Sequence, residues 1–133
     1  GAFVIVVGLG AVGSAAAALL ARTGIHRLRL IDGSTLAINA CHAVAEAADV
    51  GILKVEVCRS RFQAILPCCH VEAVAQHLDA ANANQLLGPA GDGQPPDVVM
   101  DCITHIPSKA TLLRAASAAG VRAITVVPPI GVP

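Results

Sequence analysis

Apolar positions in this chain fall into short unbroken runs, separated by stretches of helical period. The first run, Val4-Ile5-Val6-Val7, has no alternation of apolar and polar residues. It predicts a strand covered on both faces, as in a parallel sheet. Ala11 to Arg22 reads as an alanine-rich helix, alanine being a strong helix former. Val12, Ala15, Ala16, Leu19 and Leu20 make its apolar stripe, and Gly24 suits the C-terminal cap. Leu28 to Ile31 is a second strand, and Gly33-Ser34 a turn beyond it. Ile38 to Ala48 reads as a short helix carrying Asn39, Cys41 and His42, followed by a turn at Asp49-Val50-Gly51. Val55, Cys58, Phe62 and Ile65 then recur at helical spacing, with Glu56, Arg59 and Arg61 facing water and Pro67 helping to end the helix.

Further on, His70 to Val74 reads as a third strand and Ala80 to Leu87 as a short helix. Gly88 to Pro96 is rich in Gly and Pro and reads as a surface loop. Asp97 to Cys102 is the next buried strand. Pro107 stands at the first position of a helix running to about Ala119, Gly120 caps it, and Val121 to Val127 is the last strand. Strands alternating with helices imply an α/β class, a Rossmann-like three-layer fold with a mostly parallel sheet and right-handed crossovers. No internal repeat or domain boundary divides residues 1–133, which read as one domain.

The 133 residues are 55% hydrophobic with no Trp or Tyr, so the core is built from Ala, Val, Leu and Ile. Nine basic and nine acidic residues cancel. That leaves no electrostatic footprint for nucleic acid or an anionic membrane, although an RNA substrate is not excluded. The five cysteines, Cys41, Cys58, Cys68, Cys69 and Cys102, are odd in number and form no C-x-x-C pair. This argues against a disulfide framework and a four-cysteine zinc site, and for a reducing, intracellular setting. The apolar runs are too short to span a bilayer, and no signal peptide precedes the first strand. The chain lacks an initiator Met and begins almost inside a strand, so it reads as a fragment of something longer.

Chemistry concentrates after the first strand. Gly8-Leu9-Gly10-Ala11-Val12-Gly13 fits G-x-G-x-x-G. Gly8 allows the tight turn, Gly10 lets a phosphate approach the backbone, and Gly13 lets the helix lie close on the strand. Free N–H groups at the helix start favour an anion. Asp32 ends the second strand near the roughly 20-residue spacing of a ribose-binding acid. Glycines at a strand-to-helix turn also occur in scaffolds that bind nothing, and the same motif with Asp32 would serve NAD as well. Ligands of such folds sit at the carboxyl ends of the strands, which places Gly8, Gly10, Asp32 and the Cys102–His105 turn around one crevice. Lys54, at a helix start, can reach the same edge. A cation there opposes the helix dipole, which adds weight to a ligand contact.

These residues resemble the ThiF/MoeB superfamily of ATP-dependent activating enzymes, which includes the ubiquitin-activating enzymes. Val7-Gly8-Leu9-Gly10-Ala11-Val12-Gly13-Ser14 is similar to its V-G-x-G-x-V-G-S, and Leu20 to Ile25 with Arg27 to Asp32 to the following helix and strand. His42-Ala43-Val44-Ala45, Ala48 to Gly51 with Lys54-Val55, and Pro96 to Asp101 with Lys109 resemble the branch of tRNA threonylcarbamoyladenosine dehydratases. The likeness covers nearly the whole chain, which is truncated relative to the family. It implies ATP and Mg²⁺ as cofactors, a tRNA carrying threonylcarbamoyladenosine as substrate, and a homodimer. Gly8, Leu9, Gly10 and Gly13 would cradle phosphates, Asp32 would take the ribose hydroxyls, and Lys54 would stabilise charge during adenylyl transfer. Asp101 is assigned a place near Mg²⁺, against a purely structural role in holding its loop.

The sequence departs from the family at two charged positions. The family Arg of L-N-R-H falls on Cys41, and the Mg²⁺-linked Asp of D-A-I-D-N falls on Thr104, with His105 in place of the Asn. A thiol cannot supply a guanidinium's bidentate phosphate contact. Cys41 and Thr104 are thus altered catalytic positions, and His105 is a candidate phosphate contact. Cys41 beside His42 suggests a nucleophile, but adjacent residues on a helix do not face each other. Arg22 reads as a cation in a last helical turn rather than a phosphate ligand, and His26, His70 and His77 as surface residues. Three functions therefore compete. One is ATP-dependent activation of a carboxylate, on tRNA threonylcarbamoyladenosine or on a ubiquitin-like protein. Another is a non-catalytic Rossmann-type module, and the third an NAD-dependent oxidoreductase.

Overall fold

The computed structural model describes residues 1–38 and 40–126. Five strands, β1 (Phe3–Val7), β2 (Arg27–Ile31), β3 (His70–Val74), β4 (Val98–Asp101) and β5 (Arg122–Thr125), form one sheet. Their order is β3-β2-β1-β4-β5 and every pairing is parallel. The chain enters at the centre, winds outward to β3, then crosses to the other side of β1. The order therefore reverses between β1 and β4, and a crevice opens at their carboxyl ends.

Helices α1 (Ala11–Arg22) and α2 (Lys54–Ile65) cover one face, where Val4, Val6, Leu28 and Leu30 meet Ala17, Ala21, Val55, Cys58 and Phe62. Helices α3 (Ala83–Leu86) and α4 (Ile106–Ala119) cover the other, against Phe3, Ile5, Val7, Ile31 and Val99. All five residues of β1 are buried, in agreement with its unbroken apolar run.

In β2 the sequence alternates Arg-Leu-Arg-Leu, yet all five residues are buried. Leu28 and Leu30 join the α1–α2 core. Arg27 and Arg29 lie beside the Phe3 ring, their guanidinium carbons 5.7 and 5.0 Å from its centroid. Arg29 donates to the carbonyls of Leu86 (2.8 Å), Gly88 (2.7 Å) and Pro89 (3.3 Å) and pairs with Glu72 at 2.8 Å. Arg27 forms a two-pronged pair with Asp92 at 2.9 and 2.8 Å. The Gly/Pro-rich loop thus acts as a polar cover over that end of the core.

Three expectations are corrected. The stripe of Val12, Ala15, Ala16, Leu19 and Leu20 is not the buried side of α1. Val12 and Leu19 are 53% and 67% exposed, and the sheet-facing residues are Gly13, Ser14, Ala17 and Ala21. Only small residues let the helix approach the glycine turn this closely. No helix forms over the described residues of 38–48. A single 3₁₀ turn, Ala47–Asp49, stands at its end, and Asn39 lies outside the described residues. Backbone bonds from Leu36 to Ile52 (2.8 Å) and from Gly51 to Leu36 (2.9 Å) close this loop instead. Finally, Ile65 is 56% exposed, while Val57 takes a buried place in α2. Val127, assigned to the last strand, lies outside the described residues.

Candidate nucleotide site

Gly8 begins the turn that leads from β1 into α1. Its φ is +92°, and a Cβ there would lie 2.8 Å from the Cys102 carbonyl oxygen, so only glycine lets the turns after β1 and β4 touch. Gly10 is the N-cap of α1, with φ −72° and nothing within 4 Å of where a Cβ would stand. It borders the crevice, and its missing side chain leaves open space there. A Cβ on Gly13 would run into the Gly8 carbonyl. That glycine serves the packing of α1 on the turn and does not line the crevice.

The crevice measures about 410 Å³ and is bordered by Gly8, Gly10, Asp32, Lys54, Thr104 and His105 among others. This is the size range of small-ligand sites. Of the residues singled out in the sequence for this edge, the fold brings together those six with Cys102 and Ile103 of the same turn. Leu9 is fully buried in the core, and its backbone N–H donates to Asp32 Oδ2 at 2.7 Å. The other oxygen, Oδ1, accepts from the Ser34 N–H at 2.7 Å. Asp32 therefore braces the glycine turn as well as facing the site. Lys54 is the first residue of α2 and also borders the crevice; its own N–H donates to the Ser34 carbonyl at 3.0 Å.

Across the crevice, Thr104 and His105 are exposed at the start of α4, and His105 Nδ1 lies 2.8 Å from Ser108 Oγ. Asp101 does not reach the crevice. It is fully buried, with Oδ2 2.8 Å from Lys109 Nζ and Oδ1 accepting from the Ile103 N–H at 3.1 Å. Lys109 also donates to the Val126 carbonyl at 2.9 Å, tying β4, α4 and the end of β5 together. This pair holds the turn on which Thr104 sits. Among the described residues no group of three or more His, Cys, Asp or Glu side chains could hold a metal ion.

Cys41 is exposed and does not pair with His42. The His42 ring is turned inward, with Nε2 3.7 Å from Cys58 Sγ and Nδ1 accepting the N–H groups of Val44 and Ala45, each at 3.2 Å. Those two donors require an unprotonated Nδ1, so the proton of the neutral ring sits on Nε2. Burial, and next the charge of Lys54, hold His42 below the ordinary histidine range. Burial pushes the Cys58 thiol up to about 12, which leaves it protonated and unreactive. Sequence reasoning missed this His42–Cys58 contact. The only signal was Cys58 on the inner side of α2, with nothing to say which histidine would meet it. Gln76 and His77, on the loop after β3, also border the crevice and were not singled out for it.

The strand order, the glycine turn and the crevice at the point of reversal define a Rossmann-like α/β domain. Residues 2–127 match the ThiF family, and the chain belongs to it. Its relatives include tRNA threonylcarbamoyladenosine dehydratase 2 of Saccharomyces cerevisiae, 33% identical over 92% of this chain and 27% of that protein. The tRNA threonylcarbamoyladenosine dehydratase of Escherichia coli is 34% identical over 84% of this chain and 41% of its own length. The E. coli enzyme in complex with ATP superposes with a TM-score of 0.84 at 32% identity, over 93% of this chain and 50% of that one. The chain thus spans between about a quarter and a half of the relatives it matches. No helix among the described residues is long and apolar enough to cross a membrane.

Proposed function

We propose that this chain is the nucleotide-binding part of an ATP-dependent activating enzyme that dehydrates threonylcarbamoyladenosine in tRNA. The observation that carries the reading is the crevice itself. It sits at the switch point of the sheet, floored by the open side of Gly10 and flanked by Asp32 and Lys54. The similarity to dehydratases, one of them solved with ATP, supports it.

In this reading a carboxylate oxygen would take the adenylyl group of ATP as its bond to pyrophosphate breaks, so that the oxygen can later leave with AMP. The residues of the chain bind and orient the ATP. Gly10 admits phosphate to the start of α1, Asp32 offers acceptor lone pairs to the ribose, and Lys54 meets phosphate charge where it builds up. Magnesium is the usual companion of a triphosphate in solution. The proposed setting is intracellular and reducing, in keeping with five unpaired cysteines, two of them buried.

The exposed Thr104 and Cys41 favour a second reading, a module that binds nucleotide without turning it over. Titration with ATP and with NAD⁺ tests the binding, and pyrophosphate exchange tests turnover. ATP binding with NAD⁺ silent supports the proposal, and a preference for NAD⁺ refutes it. A double variant, Cys41→Arg with Thr104→Asp, separates the two readings: exchange that rises from zero shows a module lacking only these charges.

A further inference from the structure

We infer that this crevice holds its nucleotide without a protein-bound divalent cation, the phosphate charge being met by Lys54 and backbone N–H groups. The inference rests on the nucleotide reading above and concerns how that ligand is neutralised.

The argument follows the carboxylates. Magnesium is a hard ion that wants oxygen ligands in near-octahedral array, and a protein usually offers it one or two carboxylates beside the phosphates. Two aspartates lie at this edge of the sheet; each of their four oxygens accepts one donor, and in the nucleotide reading the spare lone pairs of Asp32 go to the ribose hydroxyls rather than to a cation beside the phosphates. Asp32 takes the Leu9 and Ser34 N–H groups, both at 2.7 Å. Asp101 takes Lys109 Nζ at 2.8 Å and the Ile103 N–H at 3.1 Å, in a position with no exposure at all. Drawing Asp101 to a cation would strip Lys109 of its buried partner and release the turn after β4. Of the residues of that turn that line the crevice, Cys102, Ile103, Thr104 and His105, the one with a side-chain oxygen is Thr104, a neutral hydroxyl. A hydroxyl can join a coordination sphere but brings no charge to hold one.

Charge bookkeeping then runs opposite to that of a metal-dependent site. Here the cation is fixed in the protein, on Lys54, and the ligand gains nothing from arriving already neutralised. A triphosphate carrying magnesium presents less negative charge to Lys54 than the free triphosphate does. Its affinity is therefore equal or lower.

The test is a calorimetric titration of the 133-residue chain with ATP, once in excess EDTA and once in excess Mg²⁺, with AMP as a ligand of low metal affinity. The expected result is that ATP binds in Mg²⁺ no more than about 3-fold tighter than in EDTA, a difference under about 0.7 kcal/mol. Tighter binding in Mg²⁺ by more than that overturns the inference. A second variant locates the cause. Thr104→Asp, at an exposed position, should weaken ATP in EDTA by placing a like charge beside the phosphates, and should reverse the order so that Mg²⁺ tightens binding by about 10-fold or more. A variant with no such reversal overturns the assignment of the missing charge to Thr104. Absence of binding by ATP and AMP in both buffers overturns the nucleotide reading itself, and this inference with it. Binding that fails the magnesium comparison leaves that reading standing.

Discussion

Gly10 and Gly13 are three residues apart in one motif, yet the structure gives them unlike tasks, and two alanine variants separate these. At Gly13 an added Cβ would run into the Gly8 carbonyl oxygen and lie 2.8 Å from its carbon, with Cys102 Cβ 3.2 Å away on the other side. The obstacle is backbone, so no side-chain rotation relieves it. Overpacking a filled site costs about 1–3 kcal/mol, and we take the upper end because the glycine turn must move. Helix propensity returns about 1 kcal/mol. A net loss of about 2 kcal/mol is a large share of the stability of a domain this size and would lower Tm by about 8 °C. At Gly10 the same methyl meets nothing within 4 Å, and φ is −72°, open to any residue. The weaker N-cap and the stiffer unfolded chain roughly offset each other, so stability changes by less than about 1 kcal/mol. The methyl nevertheless stands where a phosphate would approach the helix start. We expect ATP affinity to fall about 10-fold or more, equivalent to about 1.4 kcal/mol. Urea unfolding and ATP titration on both variants provide the assay. Gly10→Ala binding ATP as the parent does, or Gly13→Ala unfolding at the parental midpoint, would refute this division of labour.

Removing Lys109 leaves the fully buried Asp101 without its cation. Lys109→Met should cost about 3–5 kcal/mol, and adding Asp101→Asn should recover part of it, both read from urea midpoints. His42 is held neutral in the folded chain, below its ordinary value of 6.5. The unfolded chain therefore binds more protons on acidification. The stability that His42 contributes is complete above pH 6.5 and is lost as pH falls through its lower folded value. Unfolding midpoints between pH 7.5 and 5.5 should fall, with a shallower slope in His42→Gln; an unchanged slope would show that the Nδ1 bonds to Val44 and Ala45 carry no pH dependence. Cys41 and Cys68 are exposed, whereas Cys58 and Cys69 are buried. Brief alkylation of the native chain, followed by mass mapping, should mark the first two and spare the second two.

The strands and the crevice were legible in the sequence because they depend on short, local signals. A short unbroken run of β-branched residues ahead of a glycine turn reads as a covered strand, and a glycine at φ +92° that touches the opposite turn tolerates no substitute. His70–Val74 was placed to the residue. What failed depended on distant partners. The stripe of α1 was misread because apolar period was taken to mark the buried side. In this helix the buried side is instead set by smallness, Gly13, Ser14, Ala17 and Ala21, against a turn that comes very close. The sequence from Ile38 to Ala48 reads as a short helix, but the path of this loop is fixed by bonds between its two ends, such as Leu36 to Ile52. Nothing local announces that Arg29 would sit under the Gly/Pro loop and gather two of its carbonyls together with that of Leu86 at the end of α3. Spacing found Asp101 and Lys109 but could not show that they spend their charges on each other.

Asp32 shows why a site residue and a scaffold residue can be the same atom set. Its spacing marks it as a ribose acceptor, and its two oxygens also pin Leu9 and Ser34, the residues that lead from each of the first two strands into the crevice. A carboxylate serves both tasks because each oxygen keeps a second lone pair after accepting one N–H. An amide does not. In Asp32→Asn one end of the side chain becomes a donor and faces a backbone donor, so one of the two braces is lost whichever way the group turns. A fall in nucleotide affinity in that variant therefore mixes a lost ribose contact with a loosened turn. The two separate by comparing adenosine with 2′,3′-dideoxyadenosine. If Asp32 accepts hydrogen bonds from the ribose hydroxyls as proposed, the parent should bind the dideoxy ligand more weakly. If Asp32 acts on the ribose, Asp32→Asn should shrink that difference. If it acts only on the turn, both ligands should weaken in proportion and the difference should stay as it was.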